Sequence, residues 1–397
     1  MMSLPSTAKA LLNLIARAKT PPVCLVDFHR EGGATYYSLR RMEEFIAQGK
    51  GVVRLTCEGD GTLVGTVYFR DIQSAFRLPG IHALAGEDLP RFGLLLINEL
   101  VGWTLPEAIH RAHTAVGEGK IRWIPALIRI LLQLAEGWNA RLEYVVHDYF
   151  PVCPNFSLLC DETQETYCGV PGLDQCAQCL AQPFLQAAFG PAFPLAEWRN
   201  VWNALFERAN RIVCPSLSAR DILSRAFPPE GKRLALIPHA PLGPAPKPLQ
   251  LSDNDSPMHI AVVGQINIPK GAKILYDLAL LLQKRQPQAR LTLVGDLVAP
   301  GLVLPDFVTV TGRYQKERLA VILRELGVTV GLIPSLCPET FNYVCQELML
   351  LGLPLVCFDI GAPPERVRER GLVAQEATAE SALEALCRLD AQRSKLL

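Results

Sequence analysis

Short apolar runs alternate along the chain with longer stretches of helical periodicity. In the first half the apolar runs predict buried strands at residues 23–28, 51–57, 66–69, 92–98, 142–148, 211–216 and 233–238. Helical patterns lie between some of these strands, at Tyr37–Gln48 and Arg122–Arg141. Strands that alternate with helices of this length are typical of βαβ units around a parallel sheet.

The pattern is interrupted at residues 240–257, APLGPAPKPLQLSDNDSP, where proline, small residues and a polar tail predict a linker. It then restarts, with strands predicted at 259–264, 290–295, 308–312, 328–334 and 353–359 and helices between them. We therefore expect two doubly wound, Rossmann-like α/β domains, at residues 1–239 and 258–397. In this architecture ligands bind where strands present their carboxyl ends, which here would line a cleft.

Length and charge narrow the function classes. A chain of 397 residues is longer than the size at which a single hydrophobic core keeps growing, so two domains are expected. Lys plus Arg equals Asp plus Glu, at 39 each, so a nucleic-acid partner is disfavoured. The apolar run Ala10–Ala16 is too short to span a membrane and predicts an amphipathic surface helix, with a weak membrane-surface contact as the alternative. We expect a cytoplasmic protein.

The twelve cysteines are not spaced like the disulfide framework of a small secreted domain. Several stand singly in apolar runs, where a free cysteine behaves as a small hydrophobic residue. Five others cluster in a loop-like segment at residues 153–179, which ends in C-A-Q-C. A C-x2-C pair with further cysteines nearby fits a tetrahedral zinc site, while free thiols or a disulfide are the alternatives.

The segment 338–354, PETFNYVCQELMLLGLP, carries the most specific chemistry. It places Glu339 just before a predicted helix and Glu347 inside it. The backbone amides at the start of the helix, those of Thr340, Phe341 and Asn342, are expected to bind phosphate. The two carboxylates could then accept hydrogen bonds from sugar and ribose hydroxyls. The alternative is a simple helix cap at Glu339 and a solvated Glu347.

This segment, followed by GLPLVCFDIGAPPERV, resembles the C-terminal signature of glycosyltransferase family 4. Upstream, VVGQINIPKGAKILYDLALLL and LTLVGDL resemble the opening of the nucleotide-sugar-binding domain in that family. The resemblance implies a GT-B fold, a nucleotide-sugar donor and a retaining reaction without a catalytic metal. It implies that Glu339 contacts the transferred sugar, that Glu347 holds the ribose, and that Lys270, beyond the glycine Gly264, contacts phosphate.

One position departs from the family pattern. The family commonly has an arginine directly after the first glycine of this domain, whereas Gln265 follows Gly264 here. Glutamine can donate a hydrogen bond to phosphate but cannot neutralise its charge. Stabilisation of the leaving group would therefore depend more heavily on Lys270 and the helix amides.

The first half contains further candidate residues. Gly32 and Gly33 follow the first strand and would let a ligand approach the backbone. Their placement is similar to the glycine loop of O-antigen and rhamnan-type surface-polysaccharide glycosyltransferases. His147 ends a predicted strand, and in the family a histidine at this point contacts the donor sugar. The cysteine spacing resembles these enzymes too, which selects the zinc ligands Cys153, Cys168, Cys176 and Cys179.

The combined expectation is a glycosyltransferase that acts on a glycan or another hydroxyl acceptor. Outside the predicted linker, no D-x-D element indicates a GT-A enzyme, and no paired acid indicates a glycosidase. Neither domain has the G-x-G-x-x-G spacing of a dinucleotide-dependent oxidoreductase. Two alternatives stay open: a catalytically silent GT-B-like partner that binds sugar or nucleotide, and a nucleotide-sugar epimerase.

Overall fold

The computed structural model describes residues 4–28, 32–58, 62–103, 123–161, 163, 165–228, 231–241, 243, 246–249 and 256–392. The chain folds into two compact units. The first unit comprises residues 1–156, 170–215 and 220–237. The second comprises residues 157–169, 216–219 and 238–397.

The first unit is built on an eight-stranded sheet in the order β4-β3-β2-β1-β5-β6-β7-β8. All of its strand pairs are parallel except β2–β3 and β3–β4. The strands are β1 (Val23–Val26), β2 (Val52–Cys57), β3 (Leu63–Phe69), β4 (Ile72–Leu78), β5 (Leu94–Ile97), β6 (Arg141–Val145), β7 (Arg211–Cys214) and β8 (Leu234–Leu236). The described helices are α1 (Ser6–Ile15), α2 (Gly33–Ala47), α3 (Ile124–Gly137), α4 (Leu173–Leu180), α5 (Pro183–Phe189), α6 (Leu195–Arg208) and α7 (Leu217–Ala226).

The apolar residues of the first sheet form its core. Every residue of β1 is buried, as expected for a strand covered on both faces. Tyr144 of β6 packs edge-on against Trp202 and Phe206 of α6, with ring centroids 5.6 and 5.3 Å away. These aromatic contacts fix β6, the strand that leads to His147, against its neighbouring helix.

Helix α1 is amphipathic, as predicted, and its apolar face is turned onto the protein. Ala8, Leu12 and Ile15 are fully buried. A Cβ added at Gly51 would lie only 2.6 Å from Cβ of Ile15, so the helix packs closely against the start of β2. This apolar face is therefore covered by protein instead of being open to a membrane surface. Among the described residues, no helix is both long and apolar enough to cross a bilayer.

The second unit contains a six-stranded, wholly parallel sheet in the order β11-β10-β9-β12-β13-β14. Its strands are β9 (His259–Val263), β10 (Arg290–Val294), β11 (Thr309–Val310), β12 (Val330–Ile333), β13 (Leu355–Phe358) and β14 (Leu372–Ala374). The helices are α8 (Ala272–Arg285), α9 (Leu319–Leu326), α10 (Tyr343–Leu350), α11 (Pro363–Val367) and α12 (Ala379–Asp390). Numbered within this unit, the strand order is the 3-2-1-4-5-6 of a Rossmann fold.

Two hydrophobic clusters cover the faces of this sheet. Alternate residues of β9 divide between them: Ile260 and Val262 belong to one cluster, and Ala261 and Val263 belong to the other. This alternation follows from the two-residue period of a strand. It explains why the predicted strands of this half are continuous apolar runs. The predicted α/β class with two Rossmann-like domains is thus confirmed.

Two buried histidines of the second unit are held neutral. Burial lowers the pKa of His259 to about 4, with Arg290 as a second cause. Its Nδ1 donates to the carbonyl of Leu326 at 2.9 Å, and its Nε2 accepts from the Thr292 hydroxyl at 2.8 Å. Burial likewise lowers the pKa of His239 to about 3, with the charge of Arg366 as a second cause.

We expect His239→Phe to remove part of the acid sensitivity of this protein. His239 stacks on Tyr343 and packs against Phe341, so a phenyl ring suits its surroundings. As pH falls below 6.5, His239 becomes protonated in the unfolded state but stays neutral in the folded state, so the free energy of unfolding of wild type decreases. By pH 4 this cost reaches about 3 kcal/mol for a histidine with a folded pKa of about 3.

Thermal melting of wild type and His239→Phe at pH 7.5, 6, 5 and 4 would measure this cost. The stability difference should move in favour of the variant as pH falls. The exposed His82 provides the control, because His82→Phe should leave the pH dependence of wild type unchanged. Parallel pH curves for wild type and His239→Phe would contradict the prediction.

Candidate functional site

The second sheet changes its winding direction between β9 and β12, which are adjacent strands. Such a switch point leaves a crevice at the carboxyl ends of the strands, where ligands of this fold bind. Gly264 directly follows β9, and Ser335 follows β12 after one proline. A Cβ at Gly295, which ends β10, would lie 2.0 Å from the carbonyl oxygen of Gly264, so a side chain cannot be accommodated there. The crevice therefore has a floor of bare backbone.

Glu339 is an acidic residue that follows β12 at this edge. Its carboxylate accepts a short hydrogen bond from the Ser335 hydroxyl and a 2.8 Å hydrogen bond from Nδ2 of Asn342. Both donors are neutral, so they orient the carboxylate without cancelling its charge. The side chain is half-buried. Such a carboxylate keeps the capacity to accept further hydrogen bonds from a ligand.

The backbone of Glu339 contacts the segment that follows β13. Gly361 has φ of 69°, and a Cβ there would lie 2.6 Å from the amide nitrogen of Glu339. The amide of Ala362 donates to the carbonyl of Glu339 at 2.9 Å. This contact gives a structural reason for the glycine at position 361, because a side chain there would collide with the backbone of Glu339.

Asn342 joins the carboxylate to helix α10. Its Oδ1 caps the helix by accepting from the amide of Cys345 at 2.7 Å, while its Nδ2 donates to Glu339. Its backbone has φ of 63°, a left-handed conformation that asparagine adopts more readily than most residues. Helix α10 begins at Tyr343 with Asn342 as its N-cap, so the helix starts later than the predicted position directly after Glu339. Thr340 and Phe341 are buried and precede the helix.

The first turn of α10 faces the glycine floor. Cγ2 of Val344 lies 3.7 Å from the position that a Cβ at Gly264 would occupy. The helix N-terminus and the end of β9 are therefore neighbours. A helix N-terminus carries unpaired amides and a partial positive charge, which together favour an anion.

Lys270 lies in a loop that is tied to the same edge. The carbonyl of Pro269 accepts from the amides of Leu336 and Cys337, at 2.9 and 3.1 Å. Burial raises the pKa of the Cys337 thiol to about 12; the nearby Glu339 raises it further and Lys270 opposes this. Lys270 and Glu339 thus have opposite electrostatic effects on Cys337. Gln265 is exposed.

Glu347 lies one turn inside α10, where it pairs with a lysine that precedes α9. Nζ of Lys316 is 3.5 Å from Oε1 of Glu347, and the carboxylate side chain is 17% exposed. Burial raises the pKa of Glu347, and the ammonium group of Lys316 opposes this rise. Glu347 is therefore a partly desolvated acceptor at the same helix as Asn342. The sequence analysis did not single out Lys316.

The first unit also presents polar residues at the carboxyl ends of its strands. Asp27, Asn98 and His147 follow β1, β5 and β6, which are adjacent in the sheet. Nε2 of His147 lies 2.8 Å from Oδ1 of Asn98. Gly32 is the N-cap of α2 and Gly33 is its first residue. Among the described residues, no atom lies within 4 Å of the position that a Cβ at Gly32 would occupy. Of these three residues only His147 was predicted from the sequence, although Asp27 and Asn98 also follow apolar strands.

The proposed zinc ligands do not form a metal site. Cys153, Cys168, Cys176 and Cys179 are all described by the structure, yet no group of three or more His, Cys, Asp or Glu in the described chain could hold a metal ion. Cys176 instead contacts the carbonyl of Pro171 at 3.4 Å. The zinc prediction is therefore not supported. C-x2-C spacing on a helix places two thiols one turn apart but does not bring other ligands to them.

Substitutions at Asn342 should separate its conformational role from its hydrogen bonds. Asn342→Gly keeps the left-handed backbone but loses the cap and the contact with Glu339, which should cost about 1 kcal/mol. Asn342→Ala loses the same bonds and adds left-handed strain, so it should cost about 1–2 kcal/mol more. Denaturant unfolding of both variants measures the difference. Equal stabilities would show that the φ of 63° is not retained in solution.

A comparison with family models finds a match in the second unit. Residues 257–392, about a third of the chain, match the family model described as "Glycosyl transferases group 1". No curated protein sequence matches the chain. The family match spans the crevice at β9 and β12, Lys270, Glu339 and Glu347.

Solved structures share the fold of the whole chain at low identity. Sucrose-phosphate synthase from Thermosynechococcus elongatus is 19% identical, with 95% of each chain covered and a TM-score of 0.55. The catalytic domain of starch synthase IV from Arabidopsis thaliana is 11% identical, with 95% of this chain and 93% of that chain covered and a TM-score of 0.53. Anabaena HepE in complex with UDP is 14% identical, with coverages of 94% and 91% and a TM-score of 0.51. The chain therefore has the GT-B fold of these enzymes, and its second unit matches a glycosyltransferase family.

Proposed function

We propose that this protein is a retaining glycosyltransferase of family 4 that moves a sugar from a nucleotide-sugar donor to a hydroxyl of a glycan or related acceptor, in polysaccharide or glycoconjugate synthesis. The observation that carries this proposal is the half-buried carboxylate of Glu339. It is oriented by the neutral donors Ser335 and Asn342 beside the N-terminus of α10. A sugar diphosphate needs both parts: an acceptor for its hydroxyls and donors for its phosphates.

The donor site is proposed on the second unit. Backbone amides at the start of α10 and the bare floor at Gly264 would hold the diphosphate, with Thr340, Phe341 and Asn342 shaping the turn. Glu347 would accept hydrogen bonds from the ribose, and Glu339 from the sugar. Lys270, in the loop tied to this edge through Pro269, would contact the phosphates. The Anabaena relative was solved with UDP, which makes UDP the first nucleotide to test.

The proposed reaction is a front-face displacement. The bond from the anomeric carbon to the diphosphate breaks, the acceptor oxygen forms the new bond on the same face, and its proton passes to the departing phosphate. Stabilisation of the negative charge on that phosphate would supply most of the rate enhancement. Lys270 and the helix dipole provide it here. His147 is proposed to orient the sugar, as in the family that the sequence resembles, and Gly32 and Gly33 to let the ligand approach α2.

A second candidate is a catalytically silent partner that binds nucleotide or sugar. The exposed Gln265, at the position where family members commonly have arginine, favours it. Such a protein would bind a nucleoside diphosphate yet neither transfer nor hydrolyse the sugar of any donor. Binding and turnover must therefore be measured separately.

Calorimetric titration with UDP, GDP and TDP tests the donor site. We expect one nucleotide to bind wild type and Glu347→Gln to bind it about 10- to 100-fold more weakly, because a charge-assisted hydrogen bond to the ribose is lost. The matched control is Glu325→Gln, which changes an exposed glutamate on α9. Unchanged affinity in Glu347→Gln would remove Glu347 from the nucleotide site.

Lys270→Ala tests the proposed chemistry. Because the lysine would act on charge that develops as the diphosphate departs, turnover should fall about 100- to 1,000-fold while donor affinity changes much less. Lys284→Ala, at the exposed end of α8, is the control. The readout is release of nucleoside diphosphate from the donor identified by calorimetry. Near-normal turnover of Lys270→Ala would refute the proposed role of the lysine.

A further inference from the structure

A network of hydrogen bonds links three adjacent strands of the first sheet at their carboxyl ends. It begins at Asp27, whose carboxylate is fully buried after β1. Oδ2 of Asp27 accepts from Nε of Arg54 at 2.8 Å and from the Ser38 hydroxyl at 2.7 Å. Nη2 of Arg54 also lies 2.7 Å from this oxygen. The indole of Trp103 donates to the Asp27 carbonyl at 2.8 Å. A buried carboxylate with this many donors has essentially one orientation.

Asn98 takes its orientation from Asp27. Its Nδ2 group donates to Oδ1 of Asp27 at 2.9 Å and to the backbone carbonyl of Ala34 at 3.1 Å. Both partners can only accept. If the amide were flipped, its oxygen would face a carboxylate oxygen and a carbonyl oxygen in a buried site, which is strongly unfavourable. The amide oxygen of Asn98 must therefore point the other way.

That oxygen faces Nε2 of His147 at 2.8 Å. An amide oxygen only accepts, so Nε2 must carry the proton that forms this bond. In the neutral imidazole the lone pair is then on Nδ1. The edge of the Tyr37 ring, from α2, packs against the imidazole at a centroid distance of 5.2 Å and an interplanar angle of 69°. The ring of His147 is thus held by a hydrogen bond on one side and an aromatic contact from another element.

We propose that Asn98 is a positioning residue for His147. The amide of Asn98 is oriented by Asp27, which is itself paired with Arg54, and the amide oxygen in turn orients the imidazole and keeps its proton on Nε2. This inference rests on the proposed function for its consequence: an imidazole of fixed orientation would meet the sugar. The proton position itself follows from the hydrogen-bond pattern and does not depend on any reaction.

Nitrogen-15 NMR of histidine-labelled protein tests the proton position directly. The chain has seven histidines, and the signal of His147 is identified by its loss in His147→Gln. We expect wild type to show a ring proton on Nε2 of His147 that exchanges slowly with solvent, because the bond to Asn98 protects it. In Asn98→Ala this protected proton should disappear. A proton on Nδ1 in wild type, or an unchanged Nε2 proton in Asn98→Ala, would overturn the proposal.

Steady-state kinetics tests the positioning role. Asn98→Ala should lower kcat about 10- to 100-fold with little change in KM for the donor, because a freely rotating imidazole no longer meets the sugar correctly. If Asn98→Ala does not fold, Asn98→Ser replaces it in both experiments. The control is Asn203→Ala on the surface of α6, which should match wild type. An unchanged kcat would overturn the positioning role. Absence of sugar transfer by wild type would refute the proposed function, while the NMR result would stand.

Discussion

Parallel pairing of the strands is the constraint on which both units depend. Because parallel strands run in one direction, the residues that follow them meet along one edge of the sheet. In the second unit this brings Gly264 and Ser335 together, although they are far apart in the chain. In the first unit it gathers Asp27, Asn98 and His147. The backbone around Glu339 and the orientation of His147 both depend on such an edge.

The carboxylates at the two sheet edges differ in burial and in the charge of their partners. Asp27 is fully buried and paired with Arg54, so its charge is neutralised and it serves to fix its neighbours. Glu339 is half-buried and accepts hydrogen bonds from two neutral donors, Ser335 and Asn342. Burial of an unpaired charge is costly, which explains why Glu339 keeps contact with solvent. The arrangement of Asp27 suits a structural role, and that of Glu339 suits a residue that contacts a ligand.

Much of the fold could be predicted from the sequence. Continuous apolar runs predicted twelve of the fourteen described strands, whereas β4 and β14 were missed. The helix that carries Glu347 was predicted directly after Glu339 but begins at Tyr343. Contacts between residues that are far apart in the sequence could not be predicted. The cap that links Asn342 to Glu339, the support from Gly361 and the Lys316 partner of Glu347 all depend on how loops return to the sheet. The zinc prediction failed to gain support for the same reason: spacing in sequence does not determine which thiols converge.

The sequence by itself determined the α/β class and the two-domain organisation, because hydrophobic periodicity is a local property of the chain. It also marked His147, Lys270, Glu339 and Glu347 by motif. Only the tertiary structure decided how these residues are oriented, since orientation depends on partners from other strands. The proton on Nε2 of His147 is the plainest case: it is set by Asn98 and, through it, by Asp27, which lies 71 residues before Asn98 in the chain.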